Sequence, residues 1–321
     1  MTPQSAAPEE SLIQASSKFH PTRLIDRVFY WLTLILAIGI GAVLVWITFS
    51  LLNIALPSIR EFGLGFLTQS VWNPVTDSFG AFPQVYGTIV SAILALLFAV
   101  PIGVGVAVFL SEDFLPRKIL TPIAFLVELL AAIPSVVYGL WGIFVLIPAI
   151  LPLLRWIHSV FGWIPFFSTP PSTRQMFVTA LVLSIMILPT IIAISRDTLV
   201  SLPPQLRQGA YGLGATRWET ILKVLLPAAL SGIIGSVMLA LGRALGETMA
   251  AAMLIGNANR VNISFFAPAS TIAALIANQF GEASGLQRSS LFFAALVLML
   301  LTLAVNMLAE YIISRFQEVE R

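Results

Sequence analysis

"RDTLVSLPPQLRQGAYGLGATRWETILKVLLP", residues 196–227, is a polar stretch marked by prolines and glycines and set between long apolar runs. Pro203 and Pro204 end the run before it, and proline also suits the first turn of a new helix. A short helical segment is expected from Gln205 to about Tyr211. Gly212 and Gly214 permit the backbone geometry of a sharp turn. A further helix then begins near Thr216 and continues past Pro227. On spacing alone this is either an ordinary connector or a short surface helix whose small residues admit another protein closely.

The chain around this stretch has 321 residues, of which 58% are hydrophobic and 10% charged. A soluble domain carries about 25% charged residues, so lipid is the expected solvent. A spanning helix needs roughly 20 mainly apolar residues. Runs near 28–52, 86–110, 176–199, 221–255 and 290–313 meet that need. A sixth, 118–149, is interrupted by Glu128, Pro134, Gly139 and Gly142, and reads as one kinked span or a span plus a re-entrant piece. The expected fold is an all-α membrane protein with about six spans.

Lysine and arginine set its orientation. An inside N-terminus puts Lys18, Arg23, Arg27, Arg117, Lys118, Arg196, Arg207, Arg217, Lys223, Arg315 and Arg321 on the cytoplasmic side. Arg60, Arg155, Arg174, Arg260 and Arg288 fall outside. Both termini are therefore expected inside, with 1–23 a partly disordered cytoplasmic tail. Outer segments 53–85, 150–175 and 256–289 exceed hairpin length, and Trp72, Trp156 and Trp163 are expected near the outer interface. In the last of these segments, Pro268 starts a short helix from about Ser270 to Asn278. It is either a packed plug or a surface that meets another protein.

Several functions are excluded. With no cysteine there is no thiolate chemistry, and the only two histidines, His20 and His158, lie in no ligand-like cluster, which argues against a metal centre. The net charge of +2 is too small to argue for nucleic acid. A phosphate-binding loop needs Gly-Lys followed by Ser or Thr, and Lys18, Lys118 and Lys223 follow Ser, Arg and Leu. Any ATP used must be bound by another polypeptide. No nucleophile–base pair lies in the spans, which argues against an intramembrane enzyme.

The opening stretch resembles the EAA loop of ABC-importer permeases, in which Glu-Ala-Ala is followed by a fixed Gly and a closing Ile-x-Leu-Pro. Gln208, Gly209 and Ala210 occupy its first three places, Gly214 the fixed glycine, and Val224, Leu226 and Pro227 the close. Gln208 stands where the motif has glutamate, so any salt bridge made through that glutamate is lost. Gly209 stands where it has alanine and lowers helix propensity by about 1 kcal/mol. "FGAFPQVYGTIVSAILALLFAVPIGVGVAVFLSE" (79–112), "ELLAAIPSVVYGLWG" (128–142), "GRALGETMAAAMLIGN" (242–257) and "FFAPASTIAALIANQFGEA" (265–283) are similar to the PstC family of phosphate-specific ABC importer permeases. The resemblance runs from about residue 24 to the C-terminus. It implies a type I importer permease fold in a bacterial inner membrane. It also implies a related permease, PstA, two copies of the ATPase PstB that hold ATP and magnesium, and a periplasmic phosphate-binding protein, PstS. Gln205, Gln208, Gly209, Ala210, Tyr211, Gly214, Ala215 and Arg217 would then form the helix that docks on the ATPase.

Ionisable groups within spans cost roughly 2.5–3.5 kcal/mol each, so they pair or line a polar path. Arg243 and Glu247 are four apart, which on a continuous helix puts them on one face and in mutual reach. Gly242, Ala244, Gly246 and Ala250 around them let a neighbouring helix approach. The pair is either a neutralised stitch or an anion-handling site, since a guanidinium fork matches phosphate oxygens. The resembled family carries the same Arg and Glu here. Glu128 either partners Arg243 across helices or sits near the cytoplasmic mouth. Ser135 and Tyr138 offer hydroxyls beside Pro134, to line the path or to satisfy backbone groups freed by the kink. Glu310 reaches the cytoplasmic interface. The competing readings are an ion-gradient-driven anion transporter, for which no inverted repeat is evident, and an ABC permease for sulfate or molybdate.

Overall fold

The structure, a computed structural model, describes residues 21–112, 114 and 116–319, so the expected tail lies largely outside the described residues. The chain divides after Ser50. The first unit carries most of α1 (Pro21–Phe62), whose side chains from Val28 to Phe49 are broadly exposed, as suits a helix bathed in lipid.

The second unit begins within the last turns of α1. There Ser58 N–H donates to Ser289 Oγ at 3.1 Å, and the Ser58 and Ser290 hydroxyls meet at 2.9 Å. These bonds seat the end of α1 on the start of α11 (Gly285–Val319). Between them run α2 (Phe82–Ser111), α3 (Arg117–Ala131), α4 (Ser135–Phe161), α5 (Met176–Ser201), α6 (Pro204–Gly212), α7 (Arg217–Ala228), α8 (Leu230–Gly246), α9 (Met249–Leu254) and α10 (Ile272–Gln279). Among the described residues five helices are long and apolar enough to cross a membrane, and the bent pair α7–α8, taken as one span, brings the total to six.

Small residues explain the centre of the bundle. Ala92, Ala95 and Ala99 on α2 lie against Leu183, Ile187 and Ile191 on α5 and Ala240 and Ala244 on α8. A Cβ on Gly103 would come within 2.7 Å of the Ile191 side chain, so Ile191 of α5 packs directly on the bare backbone of α2.

Two apolar runs break where the sequence left continuity open. The run 118–149 is two helices, because Pro134 is extended and cannot continue α3 into α4. The spanning element is Ser135–Phe161, displaced towards the C-terminus. The run 221–255 is three helices. A 67° bend separates α7 from α8 at Ala229, two residues after Pro227, and a second break follows Gly246.

The outer segments are ordered. Trp72–Asn73 and Ser78–Phe79 pair as a short antiparallel hairpin, β1 and β2, a strand element outside the all-helical expectation. Trp72 is 8% exposed and donates its indole N–H to Gln279 at 2.6 Å, so it is a core residue, not part of an interfacial belt. Trp156 and Trp163 remain exposed. Thr271 caps α10 by accepting from Ala274 N–H at 3.1 Å, and Thr88 on α2 accepts from Ile272 N–H at 3.0 Å.

Candidate functional site: a surface helix and a broken charged span

The proline- and glycine-marked stretch 196–227 folds by local chemistry. Gly214 has φ +82°, Ala215 N–H donates to Ala210 O at 3.0 Å, and Gly214 N–H to Tyr211 O at 3.0 Å. This is a Schellman close, which needs a residue free to adopt a left-handed backbone. Two residues on, Thr216 and Glu219 form a capping box: Thr216 N–H donates to the Glu219 carboxylate at 3.0 Å, and Glu219 N–H donates to the Thr216 hydroxyl. One helix is stopped and the next started within three residues.

The helix so defined, α6, has two faces. Gln205, Gln208, Gly209, Tyr211 and Gly212 are exposed, and Leu213 just beyond is 91% exposed. A Cβ on Gly209, Gly212 or Gly214 would meet nothing within 4 Å, so this face is open. Ala210 is different. It was expected among the docking residues, but it is buried against the chain's own core, one helical turn from inward-facing Leu206. The i, i+4 spacing of those two residues puts them on the same buried side. Arg217 packs its guanidinium over the Phe114 ring, 3.9 Å from the centroid, and Ala215 is half-buried in the turn.

A further pair anchors α6, and sequence reasoning missed it. Arg207 donates through Nε (3.2 Å) and a terminal nitrogen (2.9 Å) to one oxygen of Glu112, at the end of α2. The same nitrogen reaches the Leu199 carbonyl of α5 at 3.0 Å. Glu112 is 7% exposed and Arg207 22%, so this is a largely desolvated bond. The sequence counts both only as loop charges, and no local spacing joins residues 95 apart.

The intramembrane charges lie where α8 gives way to α9. The i, i+4 pair expected from Arg243 and Glu247 does not form. Glu247 is extended (φ −66°, ψ 123°), which ends the helix and carries its side chain off the Arg243 face. Its carboxylate instead accepts from Ala250 N–H at 3.2 Å, capping α9. Among the described residues the ion pairs are Arg207–Glu112 and Lys223–Glu219, and Arg243 enters neither. Arg243 is exposed on this chain and lies within electrostatic range of the Tyr138 phenol.

The remaining expected residues divide. Tyr138 is buried and donates its hydroxyl to the Leu130 carbonyl at 2.8 Å, so it satisfies a backbone group freed where α3 ends. Ser135 is the half-buried first residue of α4. Both sit beside α9, because Gly139 and Gly142 let α4 come close: a Cβ on Gly139 would lie 2.7 Å from Met253 Sδ. Glu128 does not partner Arg243. It lines a separate cavity with Arg196.

Comparison with known proteins gives consistent results. Residues 99–318 match the family model of the binding-protein-dependent transport system inner membrane component. The chain is 44% identical over 298 residues to the phosphate transport system permease protein PstC of Mesorhizobium japonicum, covering 91% of each. It is 41% identical to the protein of that name from Haemophilus influenzae, covering 96% of this chain and 99% of that one. A probable PstC of Methanocaldococcus jannaschii is 35% identical, with 82% and 86% covered. Among solved structures, a chain of a bacterial alginate ABC transporter, in complex with an alginate-bound periplasmic protein, aligns at TM-score 0.61 and 16% identity, over 92% of this chain and 96% of that one. A chain of the inward-facing MetNI methionine ABC transporter aligns at TM-score 0.53 and 17% identity, over 74% and 94%.

Proposed function

Because this chain belongs to the family of binding-protein-dependent transport system inner membrane components, and within it to the PstC permeases, we propose that it forms half of the membrane path of an ATP-driven phosphate importer. The fold is that of a type I ABC importer permease, and the protein is multi-pass in the inner membrane. ATP hydrolysis belongs to a partner. The related permease PstA completes the path, two copies of PstB bind ATP and magnesium beneath it, and PstS delivers phosphate from outside. Both termini lie in the cytoplasm.

The observation that carries the reading is Arg243, a guanidinium exposed within an apolar span and held in no carboxylate pair among the described residues. Such a group does not face hydrocarbon. It fits a surface shared with a second permease, with its planar fork of donors turned to a passing oxyanion. Glu247, held by the first turn of α9, keeps a negative charge one helix-break away, where it limits how tightly an anion is retained. Tyr138 and Ser135 line the same neighbourhood, and Glu128 stands nearer the cytoplasmic mouth.

The open face of α6 supports coupling to the ATPase. Gln205, Gln208, Gly209, Tyr211 and Gly214 would seat in a groove of that subunit, with Arg217, Ala210 and Ala215 holding the helix from behind. Movement there passes through α7 and the bend at Ala229 to α8, which ends three residues after Arg243. The test is uptake by the reconstituted complex with phosphate or sulfate, with and without ATP. ATP-dependent accumulation of phosphate in preference to sulfate is expected. Accumulation driven by an ion gradient without ATP would overturn the reading.

A further inference from the structure

A cavity of about 490 Å³ opens between the last turn of α2, the middle of α3 and the last turns of α5. That is within the usual size of small-ligand sites, about 300–1,000 Å³. Its walls include Ser111, Thr121, Glu128 and Arg196. By the orientation proposed above it faces the cytoplasm. Ser111 is the residue before Glu112, so the cavity adjoins the anchor of α6.

Arg196 makes this cavity unusual. Its Nε is buried and finds no hydrogen-bond partner among the described residues. A buried donor left unmade costs about 1–3 kcal/mol, and more when charged. Glu128 lines the same cavity from α3, yet no ion pair joins it to Arg196 among the described residues. Two opposite charges that share a cavity and remain apart are both satisfied by a ligand that bridges them. Such a ligand must offer anionic oxygens to a guanidinium and a hydroxyl to a carboxylate.

We propose that this cavity is a cytoplasmic-side site for a protonated tetrahedral oxyanion, held by Arg196 through its oxygens and by Glu128 through its hydroxyl. The inference rests on the phosphate-permease reading and adds a basis for selectivity. Phosphate near neutral pH still carries a proton to donate to Glu128. Sulfate carries none, and the carboxylate repels it. Selection is thus exerted where the anion leaves as well as where it is delivered.

The chain has no cysteine, so Ala124→Cys places its single thiol on the cavity wall. The whole reconstituted transporter is treated from the cytoplasmic side with a charged thiol reagent, and labelling of this subunit is followed by mass. Inorganic phosphate is expected to slow labelling roughly tenfold at about ten times its dissociation constant, as occupancy requires. Sulfate at the same concentration is expected to leave the rate nearly unchanged. Arg196→Gln should abolish the protection, and Glu128→Gln should let sulfate protect as phosphate does. Equal protection by both anions in the Ala124→Cys chain, or none by phosphate, overturns the site without needing either further variant. ATP-dependent phosphate uptake by the parent complex is measured in parallel. Uptake without protection defeats the site alone, whereas absence of uptake defeats the permease reading and the site with it.

Discussion

Arg207 on α6 and Glu112 at the end of α2 are joined by two hydrogen bonds, and the same guanidinium holds the Leu199 carbonyl at the end of α5. One side chain therefore ties the surface helix to both helices at the centre of the bundle. A charged hydrogen bond of this kind contributes roughly 1.5–3 kcal/mol. Glu112→Ala and Arg207→Ala should each loosen α6 without disturbing the spans. The expected result is a complex that still assembles and hydrolyses ATP but moves several-fold less phosphate per ATP. A double-mutant cycle on thermal stability should return a coupling energy in the same range.

Gly214 tests the turn separately from the anchor. Its φ of +82° is a conformation that costs a residue with a Cβ about 1–2 kcal/mol, while the space around it is open. Gly214→Val should therefore weaken ATPase association and speed amide exchange in 209–216, and Gly214→Asn should do so much less. Equal effects of the two would mean that crowding against a partner, not backbone strain, makes the glycine necessary.

Two other glycines differ in what opposes a side chain. At Gly87 an added Cβ would overlap the Ser270 carbonyl, which is backbone, and at Gly139 it meets the flexible end of Met253. Overpacking costs roughly 1–3 kcal/mol, and a methionine can yield where a backbone cannot. Gly87→Ala should lower the melting temperature clearly and disturb the start of α10, while Gly139→Ala should be close to neutral. Met253→Ala should further relieve Gly139→Ala.

Tyr138→Phe removes the bond to the Leu130 carbonyl and leaves the ring in place. In membrane proteins such bonds average about 0.6 kcal/mol. A modest loss of stability with phosphate uptake near the parent level is expected. A large fall in uptake with unchanged stability would give the hydroxyl a direct role in the path.

These outcomes bear on what could be read before the structure. The turn at Gly214 and the cap at Thr216–Glu219 are local chemistry, and residue order alone places them. The break at Glu247 is also local, but apolar periodicity runs through it, so the i, i+4 spacing suggested a pair that the backbone does not allow. Arg207–Glu112 is a partnership across the fold, and Arg196 and Glu128 come to one cavity only through the fold; no window along the chain contains either pair. Trp72 misled for a related reason. Its indole has a partner, Gln279, supplied by a helix about 200 residues away.

The most direct measurement is phosphate uptake by the reconstituted transporter carrying Arg243→Ala, with Arg243→Lys beside it. Loss of one fork of charged hydrogen bonds, roughly 2–3 kcal/mol, corresponds to a fall in uptake on the order of 30- to 150-fold. Arg243→Lys should recover part of it, since it keeps the charge and loses the planar fork. ATP hydrolysis and subunit association should be unchanged. Uptake by Arg243→Ala at the parent rate, in an intact complex, would contradict an anion path past this residue.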